Sequence, residues 1–122
     1  MSTAISILIV DDETEFASTL AKRLDRLGAR AATAAGGVEA FSELEAGPVD
    51  VVLLDVNMPD LNGLETLKII RKNFPAAEVI LLTGEGDMTR HMQALEAGAF
   101  DFLHKPIPLE RLWKRIRDAA GR

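Results

Sequence analysis

The chain contains no cysteine, which excludes disulfides, thiolate metal sites and a cysteine nucleophile. Histidine is nearly as scarce, with two residues, His91 and His104. Neither has a second histidine at ligand spacing, so both read as bystanders. No apolar run approaches the length needed to cross a bilayer, and the N-terminus lacks a basic segment followed by an apolar one. No membrane contact and a cytoplasmic location are therefore expected. Positive charge is in deficit: the formal net charge is -5. That balance speaks against direct nucleic-acid binding by this domain. Internal repeats, low-complexity stretches and linkers are also missing.

What is present is ordinary globular material. The 122 residues are 48% hydrophobic and 27% charged, which fits one domain over residues 1–122 with a core of its own. Apolar runs alternate with helical periodicity. Ile5–Val10, residues 49–55 ("VDVVLLD") and residues 78–83 ("EVILLT") read as strands covered on both faces. Residues 29–34 ("ARAATA") and 100–104 ("FDFLH") read as weaker or shorter strands. Between them lie helices at 14–27, 38–46, 63–73 and through about 97, with a last one from Pro108 to about 120. In the first helix Phe16, Leu20, Leu24 and Leu27 recur at helical spacing, and Gly28 ends the run. Strand-then-helix alternation implies a parallel sheet with helices on both faces. Ligands of such sheets bind outside the carboxyl ends of the strands.

Those ends carry the functional signal. The first strand runs into Asp11-Asp12, the third into Asp55, the fourth into Thr83-Gly84 and the fifth into Lys105-Pro106. Each piece alone has a plain structural reading. Asp11 and Asp12 are helix-capping residues, and Asp12 with Glu15 resembles a capping box. Asp55 opens a turn-rich segment, "DVNMPDLNG". Thr83 suits a strand, and Lys105 suits a solvated surface. Their convergence on one sheet edge is harder to obtain by accident.

Three carboxylates in one crevice repel one another and require a counter-charge. In a chain without cysteine and poor in histidine, the natural candidate is a hard cation on oxygen ligands. Mg²⁺ fits best, because it takes a few carboxylates and keeps its other positions for water and substrate oxygens. Asp55 then suits a nucleophile of the kind that forms aspartyl phosphates. The Lys105 ammonium offers a compact positive charge for phosphoryl oxygens, and Thr83 offers a hydroxyl donor.

The segments "ILIVDDE", "VVLLDVNMPDLNG", "VILLTGEGD" and "GAFDFLHKP" together resemble the receiver domains of two-component response regulators. Their order and spacing fit that family along essentially the whole chain. The resemblance implies a flavodoxin-like, doubly wound sheet of five parallel strands in order 2-1-3-4-5 with five helices. It implies that Asp55 is the phosphoacceptor. Asp12 would ligate Mg²⁺ directly and Asp11 mainly through water, with Asp55 and the backbone carbonyl of Asn57 as further ligands. Thr83 and Lys105 would contact the phosphoryl group. Thr83 and Phe102 would form a switch in which the ring moves inward as Thr83 shifts toward phosphate. Asn57 and Glu85 would flank the path of attacking water, and Lys105-Pro106 would be a cis peptide.

The implied donor is a phosphohistidine on a sensor histidine kinase or a histidine phosphotransfer protein. The domain would catalyse its own phosphorylation and its own slow dephosphorylation. The implied output surface comprises the fourth helix, fifth strand and last helix, used for an effector or a homodimer. Trp113, beside Leu109, Leu112 and Ile116 on the last helix, is expected to be half buried there. Met88 and Met92 are expected in the core. Two competing readings use similar residues. A haloacid-dehalogenase-like phosphatase would want Asp-x-Asp at the nucleophile, where this chain has Asn57. A pseudo-receiver would dispense with phosphorylation, which the intact Asp12, Asp55, Thr83 and Lys105 argue against.

Overall fold

Three apolar stretches of the chain are too short for helices and too apolar for a sheet with one wet face, and they form the centre of a parallel sheet. The computed structural model describes residues 4–56, 63–84 and 88–122, with side chains in the fourth helix described from Met92. The elements run β1 (Ser6–Val10), α1 (Thr14–Arg26), β2 (Arg30–Ala34), α2 (Gly37–Ala46), β3 (Val51–Asp55), α3 (Gly63–Asn73), β4 (Glu78–Thr83), α4 (Met88–Glu96), β5 (Asp101–His104) and α5 (Leu109–Ala119). The sheet has the order β2-β1-β3-β4-β5, every pairing parallel. This is the flavodoxin-like arrangement implied by the sequence motifs. Each strand's register brings its carboxyl end to the same edge: Val10 pairs with Leu54, Asp55 with Leu82, and Thr83 with His104.

Strand alternation divides the buried side chains into two clusters, one per face. Leu8, Val10, Val52, Leu54, Val79, Leu81 and Phe102 meet Ala40, Leu44, Leu67, Ile70 and Ala94 from α2, α3 and α4. On the other face, Ile7, Ile9, Val51, Leu53, Ile80, Leu82 and Leu103 meet α1 and α5 through Leu20, Leu24, Leu112 and Ile116. Burying one such side chain is worth about 1.5–3 kcal/mol, so both layers hold the strand ends in place.

The buried stripe of α1 differs from the one its large residues suggest. Phe16 and Leu27 are exposed at 38% and 43%, and the inward positions are Ala17, Leu20, Ala21 and Leu24. Two alanines let the helix axis approach the sheet, and the stripe turns toward them. The helix closes as expected at Gly28, whose φ of 99° admits the return bonds Gly28 N–H to Asp25 O and Ala29 N–H to Leu24 O. Met92 is 57% exposed, contrary to its expected place in the core; among the described side chains of that helix the buried one is Ala94. Met88's side chain lies outside the described residues. The alanine-rich β2 is an edge strand, largely exposed along its length.

Candidate functional site

The carboxyl edge of the sheet gathers the four strand-end groups. Asp11 leaves β1 in line with the strand: its N–H donates to Ala34 O at 3.0 Å. Its Oδ1 accepts the Glu13 N–H at 2.9 Å, which turns the chain into α1. Asp11 is thereby buried, at 2% exposure, while Asp12 faces solvent. The helix N-cap is Glu13, with no side-chain capping bond. The capping box given by the plain structural reading of Asp12 and Glu15 is not formed; Asp11 occupies that turn instead.

Asp55 ends β3 and is 3% exposed; Thr83 ends β4 and is 1% exposed. The Val56 N–H donates to Leu82 O at 3.0 Å, and the Lys105 N–H donates to Thr83 O at 2.6 Å. These bonds continue the sheet past the last paired residues and set the depth of Asp55 and Lys105. The Lys105–Pro106 peptide is cis, as the motif implied. The Lys105 side chain runs back over the edge. Its Nζ lies 3.0 Å from Asp11 Oδ2 and 3.8 Å from Asp55 Oδ2. On its other side, it sits 4.4 Å from the centroid of the Phe16 ring.

Carboxylate oxygens of Asp11, Asp12 and Asp55 lie within 4.8 Å of one another. Among the described residues, three carboxylates face one ammonium, which leaves local negative charge in excess. The donor set is all oxygen, with two ligands buried and one open to water, which fits a small hard cation such as Mg²⁺. Asn57, Asp60 and Glu85 lie outside the described residues.

Phe102 is 4% exposed and makes an edge contact with the His104 ring, centroids 5.9 Å apart. Its ring therefore already occupies the inward position. Trp113 is half buried, as expected. A second polar cluster joins β5 to α5. Arg115 Nε bonds Asp101 Oδ2 at 2.7 Å, its NH1 bonds Asp118 Oδ2 at 3.0 Å, and its guanidinium stacks 4.8 Å from the Phe100 ring centroid. The hydrogen bond that Arg115 donates to Asp101 raises the Arg115 pKa. The Lys114 hydrogen bond, followed by that from Arg115, lowers the Asp118 carboxyl below its ordinary value.

Sequence reasoning missed Phe16 over Lys105. The available signal was its position: α1 starts at the sheet edge, so a residue in its first turn lies beside the strand ends.

The family model of the response regulator receiver domain matches residues 7–117. The transcriptional regulatory protein TcrA of Mycobacterium tuberculosis is 34% identical over 97% of this chain, which spans 47% of TcrA's own length. Among solved structures, a response regulator from Burkholderia pseudomallei bearing a phosphorylated aspartic acid and a calcium ion superposes with a TM-score of 0.87. It is 28% identical and covers 95% of this chain and 68% of its own. The beryllofluoride-activated NtrC4 receiver domain dimer superposes with a TM-score of 0.89 at 34% identity, over 95% of this chain and 96% of its own.

Proposed function

The chain belongs to the response regulator receiver family, and from that premise we propose that it accepts a phosphoryl group on Asp55 from a phosphohistidine of a sensor kinase or phosphotransfer protein. The observation that carries this reading is the placement of Asp55: a carboxylate 3% exposed at a strand end, with an ammonium 3.8 Å from it and two further carboxylates within 4.8 Å. An Asp55 oxygen attacks phosphorus, the P–N bond breaks with its electron pair going to nitrogen, and the donor leaves as neutral imidazole, keeping the proton already on its other ring nitrogen. Lys105 turns from Asp11 toward the incoming phosphoryl oxygens and pairs with them as a point charge. The Thr83 hydroxyl donates to another of those oxygens. Asp11, Asp12 and Asp55, with the Asn57 carbonyl, would hold Mg²⁺, which when bound offsets charge on the transferring group.

The readout is proposed to pass through Thr83 and Phe102. A phosphoryl group brings acceptor oxygens to which the Thr83 hydroxyl moves, and that would hold in place the inward packing that the Phe102 ring already has here, rather than drive the ring inward. The surface of α4, β5 and α5, with Trp113 half buried on it, then meets an effector or a second copy. Supporting this reading is the dimeric form of the related activated NtrC4 receiver.

Incubation with acetyl phosphate and Mg²⁺ tests the proposal. One stable equivalent of label on the wild type, absent from Asp55→Asn, is the expected result. Rapid multiple turnover would indicate a phosphatase, and no label a pseudo-receiver.

A further inference from the structure

Of the described charged side chains that meet Asp55, Lys105 has a long and flexible stem, and the proposed chemistry needs its charge in one place. Asp11 alone does not hold it there productively. A carboxylate 3.0 Å away competes with the phosphoryl group for the ammonium. Beside the two carboxylates, a further restraint among the described residues is the face of Phe16, 4.4 Å from Nζ. An aromatic face attracts the cation without neutralising it. It also keeps water off one side of the ammonium, which strengthens the field that Lys105 exerts on an oxyanion.

Phe16 is otherwise poorly accounted for. It is 38% exposed and so is not a core residue. It lines a groove of about 410 Å³ that runs from Leu20 and Leu82 past Lys105 to Ile107 and Leu112. The ring is partly covered at the mouth of the reaction site, and the face it leaves there is the one that meets Lys105.

We propose that Phe16 is a positioning residue for phosphoryl transfer: its ring holds the Lys105 ammonium between Asp11 and Asp55, charged and partly dehydrated, ready to shift onto the phosphoryl oxygens. The inference rests on the phosphoacceptor reading of Asp55 and adds a residue to it. Of the charged groups of the site, the ring is seen against Lys105. Its loss therefore slows the transfer step and leaves donor binding and metal binding unaltered.

The test uses the whole chain, with acetyl phosphate as a donor too small to depend on a protein docking surface. Phe16→Leu keeps an apolar side chain, whereas Phe16→Trp keeps an aromatic face. The maximal phosphorylation rate of Phe16→Leu should fall about three- to fivefold, the range of a partly exposed cation–π contact. The donor concentration at half-maximal rate should stay unchanged, and Phe16→Trp should restore the rate. In a Lys105→Met background, Phe16→Leu should have no further effect. Equal rates for Phe16→Leu and wild type, or an undiminished effect without Lys105, would overturn the proposal. If the wild type takes no label at all, the phosphoacceptor reading fails, and a measurement free of activity decides the contact itself. The ε-methylene protons of Lys105 should be shifted upfield by the ring in NMR spectra and should return to ordinary lysine positions in Phe16→Leu. An ordinary shift in the wild type would refute the placement of Lys105 under the ring.

Discussion

Lys105→Met removes the ammonium while keeping most of the stem, and so isolates the counter-charge at the site. Nζ lies 3.0 Å from Asp11 and 3.8 Å from Asp55. At an effective dielectric of about 20 these are gross attractions of ~5 and ~4 kcal/mol. Dehydrating the lysine offsets much of that. Breaking a buried pair from one side typically costs about 3–5 kcal/mol, because the partner charge is left behind. The lysine side chain is 18% exposed and Asp12 opens the site to water, so about 2–4 kcal/mol is the expected loss. For a domain of this size that lowers Tm by roughly 8–15 °C. The assay is thermal unfolding in chelator, repeated across a Mg²⁺ titration. Added Mg²⁺ should stabilise Lys105→Met more than wild type, because it becomes the sole counter-charge to the described carboxylate cluster. A Tm within about 2 °C of wild type in chelator would show that the carboxylates do not need the lysine, and the electrostatic account of the site would be wrong.

Three further outcomes follow from the same geometry. Millimolar Mg²⁺ should raise the Tm of the wild type by linkage, and Asp12→Ala should remove most of that rise while leaving the metal-free protein as stable or more so; calorimetry with and without Mg²⁺ reads both. Thr83→Ala should still take phosphate on Asp55 but should lose the change in Trp113 fluorescence that phosphorylation or beryllofluoride produces in the wild type; an undiminished change would remove Thr83 from the switch. The Asp118 carboxyl titrates below its ordinary 3.8 in the folded chain, so its pairing with Lys114 and Arg115 stabilises the fold above that pH and is lost as pH falls through the depressed value. Urea midpoints of wild type and Asp118→Asn should therefore converge in strong acid and separate toward neutrality; a constant gap at every pH would contradict the pairing.

The strand ends were legible because a parallel sheet aligns them. Once Ile5–Val10, residues 49–55 and residues 78–83 read as buried strands, Asp11, Asp55 and Thr83 had to share an edge, and Lys105 joined them through the short fifth strand. Side-chain direction at helix starts was less legible. The large residues of α1 suggested a stripe including Phe16 and Leu27, but the close approach allowed by Ala17 and Ala21 rotated that stripe and left both large residues out. Size marks apolar positions in a sequence, whereas small residues decide how near a helix can come. The division of labour within Asp11-Asp12 was hidden for a related reason. Both are carboxylates, and the Glu13 N–H selects Asp11 as the buried one only after the turn has formed.

Reductive trapping tests the central claim most directly. Borohydride converts an aspartyl phosphate to homoserine, which peptide mass spectrometry locates to a single residue. After phosphorylation in Mg²⁺, the account predicts homoserine at position 55 and nowhere else, with none formed in chelator. Homoserine at Asp60, Asp12 or Asp11, or its appearance at position 55 without divalent metal, would contradict it.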